Sequence, residues 1–257
     1  MNGPATKAVL ITGGGARIGR ALSLGLAKEG WAVAIHYFHS SGEAEALAEQ
    51  INSEGGKAAA LDANLNIPAQ LDSLVSRSAN ALSMPLSALI NNASTFQPDS
   101  ALDFSHALFD HHVDINLRAP LRLAQAFAAQ LPQDRQGNII NLIDQRVLKP
   151  NPLFFTYSLS KSALHWSTKT LAQTLAPNIR VNGIGPGPTL QNTGQTPEEF
   201  AAESSATLLG HSSAPNAIVD AALYLLSAES VTGQMLAVDS GQHLTWQTRD
   251  LMVGQGD

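Results

Sequence analysis

Short, mostly apolar runs recur along this chain: Lys7 to Ile11, Trp31 to Tyr37, Lys57 to Leu61, Leu86 to Ile90, Asn138 to Ile143, Ile179 to Asn182 and Met235 to Val238. Each reads as a buried strand. Between them, apolar residues fall at helical spacing. The first such face carries Ile18, Leu22 and Leu26, with Ala21 and Gly25 beside them; the next carries Ala44, Leu47, Ala48 and Ile51; a third carries Leu71, Leu74 and Val75. Leu164, Thr168, Leu171 and Leu175 mark a helix over Tyr157–Leu175, and Pro215 to Leu226 reads as the last helix. Residues 100 to 131 read as one long helical stretch with Asn116 near its middle, kinked or interrupted at Pro120.

The punctuation agrees with this reading. Gly30 follows Lys28 as a left-handed cap, and Gly55-Gly56 stops the second helix. Ser40 with Glu43, and Thr196 with Glu199, spell capping boxes. Pro68 and Pro197 suit first helical turns. Seven strands alternating with helices predict a Rossmann-type, doubly wound α/β fold: a seven-stranded, mostly parallel sheet with helices on both faces. A single domain is expected over residues 1–257. Residues 183–211 lose the regular alternation and are expected to form a substrate-binding lid within it.

Composition narrows the function classes. With 44% hydrophobic and 14% charged residues in 257, the chain is globular rather than disordered. A formal net charge of -6 and the lack of a Lys/Arg cluster argue against nucleic acid or an anionic membrane as partner. No run approaches the roughly 20 apolar residues of a membrane span. Cysteine is absent, which removes disulfides, thiol nucleophiles and thiolate metal sites. The first strand begins near residue 7, leaving no signal peptide, so a cytoplasmic location is expected.

Candidate chemistry begins at Thr12-Gly13-Gly14-Gly15-Ala16-Arg17-Ile18-Gly19, between the first strand and first helix. Glycines let the backbone approach a dinucleotide pyrophosphate, and the helix N-terminus offers free N–H groups. The alternative is a tight strand–helix turn in some other α/β protein. NAD sites usually place an acid at the end of the second strand, about 20 residues on. Here that stretch is His36-Tyr37-Phe38-His39-Ser40-Ser41, and the first acid is Glu43. A hydroxyl pair, His39 and the cation Arg17 suit the extra phosphate of NADP instead. Tyr157 and Lys161 lie four apart on one helical face, where the ammonium is expected to favour the tyrosinate. Asp144 ends the fifth strand, 13 residues before Tyr157, and Asn116 is placed to reach Lys161 through water. A Tyr/Lys pair alone is ordinary helix surface; joined to the glycine turn it becomes a catalytic candidate. His111, His112 and His165 have no metal-site spacing and are read as structural, so no metal is expected.

Together these marks resemble the short-chain dehydrogenase/reductase family over nearly the whole chain: Thr12-Gly13…Gly19, Asp62, Asn91-Asn92-Ala93, Asn116, Tyr157-Ser158-Leu159-Ser160-Lys161, Asn182, Pro186-Gly187 and Val238-Asp239-Ser240-Gly241. The resemblance implies that Tyr157 donates or accepts the proton. It also implies that Lys161 binds the nicotinamide ribose and lowers the tyrosine pKa, and that Asn116 holds a relay water. Cofactor contacts are expected from Gly13, Arg17, Ile18, Gly19, His36, Tyr37, His39, Ser40 and Asp62. Further contacts are expected from Asn92, Ala93, Ser94, Tyr157, Lys161, Pro186, Gly187 and Thr189. Two departures matter. Arg17 replaces the usual middle glycine, and Asp144 replaces the usual serine. Both resemble the pteridine reductase branch and its dihydromonapterin reductase relatives, although the branch's usual arginine is His39 here. That likeness implies that Arg17, Ser94, Phe96, Asp144 and Tyr157 meet the substrate, with Phe96 stacking a pterin.

The expectation is NADP-dependent reduction of a dihydropterin, dihydromonapterin or dihydrofolate, with Asp144 delivering the proton. A small-molecule partner and a homotetramer accompany it. The tetramer rests on the family's pairing of its long helices and last strands, with Ala124, Ala128, Ala163 and Ala172 permitting close approach and the tail after Gly241 reaching a neighbour. The rivals are a 3-oxoacyl-thioester type carbonyl reductase and a non-catalytic cofactor-sensing protein. Asp144 and Phe96 argue against the first; the intact Asn116, Tyr157 and Lys161 argue against the second.

Overall fold

Alternation within single strands decides the architecture. In β1 (Lys7–Ile11), Ala8 and Leu10 face one side of the sheet and Val9 and Ile11 the other, all fully buried. A strand buried on both faces needs helices on both faces. The computed structural model describes residues 7–246 and shows that arrangement. The other strands are β2 (Trp31–Tyr37), β3 (Lys57–Asp62), β4 (Ala88–Asn91), β5 (Gly137–Leu142), β6 (Ile179–Pro186) and β7 (Met235–Val238). Their order is β3-β2-β1-β4-β5-β6-β7, with every pairing parallel.

The helices are α1 (Arg17–Lys28), α2 (Ser41–Ser53), α3 (Pro68–Leu82), α4 (His106–Val113), α5 (Ala119–Gln130), α6 (Phe155–Leu175), α7 (Pro197–Ser205) and α8 (Pro215–Ser227). Helices α1, α2 and α8 cover one face, packing on Val9, Ile11, Val33 and Ile35. Helices α3, α5 and α6 cover the other, around Leu10, Leu89, Phe127 and Ile139. On the first face, Gly25 lets α1 and α8 touch: a β-carbon there would lie 2.3 Å from Val219 Cγ1.

Four expectations change. The stretch 100–131 is not one helix. Helix α4 starts at His106, behind Ser105, whose hydroxyl accepts the Leu108 N–H. A π-helical turn, Asp114–Arg118, then separates α4 from α5, and the Ala119 N–H reaches five residues back to the Asp114 carbonyl. Pro120 explains it: the ring lacks a donor and would collide with the carbonyl of Asn116 in a regular α-turn. Second, the Ser40–Glu43 capping box does not form. Ser40 sits at the N-cap, but its ψ of 52° is off the extended region that aims a capping side chain at the helix, and its hydroxyl makes no cap bond. The Thr196–Glu199 box does form, with Pro197 at the first position. Third, β6 runs on to Pro186, so Gly183 to Pro186 are strand rather than irregular. Fourth, β4 begins at Ala88 rather than Leu86. The expectation for the tail beyond Gly241 falls largely on residues 247–257, outside the described residues.

Candidate active site

The strand order reverses direction between β1 and β4, and ligand sites in such sheets form outside the carboxyl ends there. A cavity of about 550 Å³ opens at this edge. One wall is the turn after β1. Its conformation is held by hydrogen bonds from three directions. The Gly13 N–H donates to His36 Nδ1 at 3.0 Å, and the Gly14 N–H donates to the His36 carbonyl at 2.9 Å. Asn92 Nδ2 donates to the Thr12 and Gly13 carbonyls at 2.9 and 3.1 Å. Thr12 Oγ1 accepts the Asn92 and Ala93 N–H groups. Gly19 is compulsory, since a β-carbon would fall 2.0 Å from the Gly13 carbonyl oxygen.

His36 is therefore a clasp. Its Nδ1 accepts, so the ring proton sits on Nε2, which donates to the Ala63 carbonyl at 3.0 Å. Burial pushes its pKa down to about 4, against a smaller opposing pull from that carbonyl. Arg17 opens α1 with φ at 52°, the left-handed region that the usual glycine would occupy freely. Its guanidinium crosses the cavity mouth and donates to the Leu190 and Gln191 carbonyls at 3.2 and 2.9 Å. Helix α1 has no side-chain N-cap bond and no acidic residue in its first turn.

The opposite wall carries Tyr157, Asp144 and Lys161. Tyr157 comes from the first turn of α6, and Asp144 from the end of β5. The phenol donates to Asp144 Oδ2 at 2.8 Å, and Tyr157 is only 5% exposed. Asp144 Oδ1 accepts the Arg146 N–H at 2.8 Å, and Oδ2 also pairs with the Arg146 guanidinium at 3.2 Å. Lys161, 2% exposed, donates to the Leu142 carbonyl at 2.8 Å and lies 5.8 Å from the Tyr157 ring centre. Burial lowers its pKa to about 8, with Asp144 pulling the other way.

This arrangement corrects the expectation that Lys161 favours the tyrosinate. Burial pushes the Tyr157 phenol well above its ordinary value, and the Asp144 carboxylate adds to the rise. The cation that opposes it is Arg146, a residue the sequence reading missed. Its signal was faint: one basic residue two positions after a strand-end aspartate. Arg146 also lies 5.3 Å from the Phe96 ring centre and 5.4 Å from that of Phe154. Phe96 stacks on Phe154 at 4.1 Å and meets Tyr157 edge-on at 4.7 Å.

Of the residues singled out in the sequence, the cavity wall brings together Gly13, Arg17, Ile18, Gly19, His36 and His39 on one side. Asn92 and Ala93, bonded to the turn after β1, also line the cavity, as do Ser94, Phe96, Asp144, Tyr157 and Lys161, with Pro186, Gly187 and Thr189 at the end of β6. Tyr37, Ser40, Asp62 and Asn116 are not on the wall. Asp62 pairs with Arg77 at 2.6 Å. Asn116, 1% exposed, holds the Thr95 N–H and carbonyl and donates to Ser160 Oγ at 3.1 Å. Among the described residues, no group of His, Asp or Glu is arranged to hold a metal, and no helix is long and apolar enough to cross a membrane.

The parallel sheet, the glycine turn and the Tyr157–Lys161 pair define a class of nucleotide-linked oxidoreductase. A model of the family described as "short chain dehydrogenase" matches residues 7–203, and the chain belongs to that family. Within it, the chain is 44% identical to the FolM alternative dihydrofolate reductase 1 of Brucella suis, solved in complex with NADP. That match covers 96% of this chain and 99% of the other, with a TM-score of 0.93. It is also 29% identical to the 3-oxoacyl-[acyl-carrier-protein] reductase FabG of Staphylococcus aureus, covering 93% of this chain and 99% of the relative. An NADPH-dependent aldehyde reductase-like protein, chloroplastic, of Arabidopsis thaliana is 29% identical, covering 92% of this chain and 94% of that one.

The His36 clasp predicts a pH dependence. A histidine whose folded pKa lies near 4, against 6.5 when free, binds its proton more tightly in the unfolded chain. Its contribution is complete above pH 6.5 and is lost as pH falls toward 4, on the order of 3 kcal/mol across the window. Thermal unfolding should show stability falling over that range, with a shallower slope in His36→Gln. An unchanged slope in the variant rules out the assignment.

Proposed function

We propose that this protein is an NADPH-dependent oxidoreductase of the pteridine and dihydrofolate reductase type, acting on a dihydropterin-like small molecule. The observation that carries the reading is the 2.8 Å hydrogen bond between Tyr157 and Asp144, in a cavity that also presents Phe96 and Arg17. Carbonyl reduction wants neutral donors around a developing oxyanion, which a carboxylate would repel. A pterin offers ring N–H donors, which a carboxylate accepts, and basic imine nitrogens, which a carboxylic acid at the same position can serve. The 44% identity to the Brucella suis protein, across 96% of this chain, supports the same reading.

The residues present fit NADP. The uncapped, acid-free N-terminus of α1 suits a diphosphate, held by Gly13, Ile18 and Gly19. Arg17 and His39 on the wall, with Ser40 at the start of α2, suit the additional phosphate. Asn92, Ala93 and Ser94 line the middle, and Pro186, Gly187, Thr189 and Lys161, which line the same cavity, would hold the nicotinamide ribose. When bound, the cofactor supplies a hydride. The chain's part is the proton. Reduction of a C=N bond places hydride on carbon and requires a proton on nitrogen. Asp144, once protonated from solvent, would give that proton to the ring nitrogen directly or through a water and return to the carboxylate that accepts from the Tyr157 phenol. Arg146 keeps Asp144 oriented, and Lys161 and Tyr157 orient substrate and ribose. Phe96 offers an apolar ring to the pterin, and Arg17 with Ser94 meets its polar edge.

The remaining assignments rest on coarser support. One sheet over the described residues favours a single domain. The bonds from Arg17 to Leu190 and Gln191 favour a lid within 183–211. A cysteine-free chain suits the cytoplasm. A homotetramer built through α5, α6 and the last strands is supported by Leu159 and Trp166, exposed apolar residues of α6. Scattering from dilute protein should report four subunits; a monomer would reject the assembly.

NADPH consumption should be fast with dihydrobiopterin and slow with an acetoacetyl thioester; the reverse order establishes the carbonyl reductase reading, and no turnover of either favours a cofactor sensor. Asp144→Asn should bind dihydropterin nearly normally and turn over at least roughly tenfold more slowly, about 1.4 kcal/mol in the barrier. Full turnover in that variant, measured where chemistry limits the rate, removes the role of Asp144. Arg17→Gly should have opposed effects. It relieves about 1 kcal/mol of left-handed backbone strain but loses the bonds to Leu190 and Gln191, so the melting temperature of the ligand-free protein should change little. It should also weaken NADPH binding far more than NADH binding, because only NADPH carries the phosphate. Equal losses for both cofactors would contradict the phosphate contact.

A further inference from the structure

His112 is fully buried, away from the cavity wall, and takes no part in the proton chemistry above. Both of its ring nitrogens are nonetheless committed. The Gln97 N–H donates to Nε2 at 3.3 Å, so the neutral ring carries its proton on Nδ1. That Nδ1–H donates to Thr156 Oγ1 at 2.7 Å, and the Thr156 hydroxyl passes its own proton bond to Asp99. Asp99 in turn accepts the Thr156 N–H at 3.1 Å, capping the start of α6 from a separate segment.

Gln97 directly follows Phe96, and Thr156 directly precedes Tyr157. Four residues along from His112, Asn116 makes a parallel connection: it holds Thr95, directly before Phe96, and bonds Ser160 one turn along α6. Phe96 thus lies on a segment clamped on both sides, and Tyr157 lies on the helical turn between the two anchor points. The edge-on contact of Phe96 with Tyr157 at 4.7 Å is set between these two rungs. We infer that His112 is a positioning residue that holds the aromatic platform Phe96 in register with Tyr157. The inference rests on the reading of Phe96 as the substrate-stacking ring.

Three variants separate the two bonds. His112→Leu removes both. His112→Gln keeps an acceptor near the Nε2 position for the Gln97 amide, and His112→Asn keeps a donor near Nδ1 for Thr156 only. With dihydrobiopterin as substrate, the leucine variant should raise KM at least about fivefold, with kcat and the NADPH dissociation constant moving no more than about twofold. The glutamine variant should recover most of the KM and the asparagine variant should not. Wild-type KM in the leucine variant overturns the inference. So does equal impairment of the glutamine and asparagine variants, or NADPH affinity falling in step with KM. If the leucine variant does not fold, the contrast between the other two decides. Hydrogen exchange of the Gln97 amide gives a readout that needs no substrate: faster in the leucine and asparagine variants, protected in the glutamine variant. Failure of the wild type to reduce dihydrobiopterin would overturn the functional reading while leaving the exchange result to judge His112.

Discussion

The seam between β1 and β4 is the constraint on which the site depends. A ligand crevice exists there because the sheet is wound in opposite directions on its two sides. Something must hold the crevice open without filling it, and the chain does this with its own backbone. Asn92 and Thr12 tie the end of β4 to the turn after β1, and His36 reaches from β2 to hold the same turn from the other side. Burial keeps that imidazole neutral, and neutrality is what lets Nδ1 accept the Gly13 N–H. The outcome is a helix N-terminus that lines the cavity with no side-chain cap on its first N–H groups.

Across the cavity, the constraint is electrostatic. A carboxylate and a phenol share a hydrogen bond in a place where burial alone raises the phenol. An unpaired carboxylate would be costly there. The guanidinium of Arg146 offsets it, and two phenylalanine rings flank that guanidinium. Lys161, the cation expected to act on Tyr157, is instead turned to the Leu142 carbonyl and buried. Charge near the Tyr157 hydroxyl is thus set by a pair from one tight turn after β5.

The two walls are joined by the helical stretch 106–130, and its irregularity has a local cause. Pro120 forbids a regular turn at Asn116, and the wider π-turn takes its place. Asn116 then spends all its bonding capacity on Thr95, Ser94 and Ser160. A residue that reads as part of a water relay in isolation acts in this structure as a brace between the 94–99 segment and α6.

What the sequence determined by itself was periodic or covalently local. Short apolar runs with intervening helical spacing were enough for seven strands and a doubly wound sheet, because strands buried on both faces demand it. The glycine turn, the Thr196–Glu199 box and the four-residue spacing of Tyr157 and Lys161 were legible for the same reason: their partners are a few bonds away. Apart from the break at Pro120 and two strand bounds, the failures were also of one kind. The capping by Ser40 depended on a ψ angle that the departure from β2 dictates. The charge environment of Tyr157 depended on where burial and Arg146 fell, and Gln97 and Thr156, the partners of the structural His112, lie 15 and 44 residues away. Spacing along the chain carries no information about such distances. Only the packing of α4 and α6 against the 94–99 segment decides which side chains meet, and burial then decides what charge they hold.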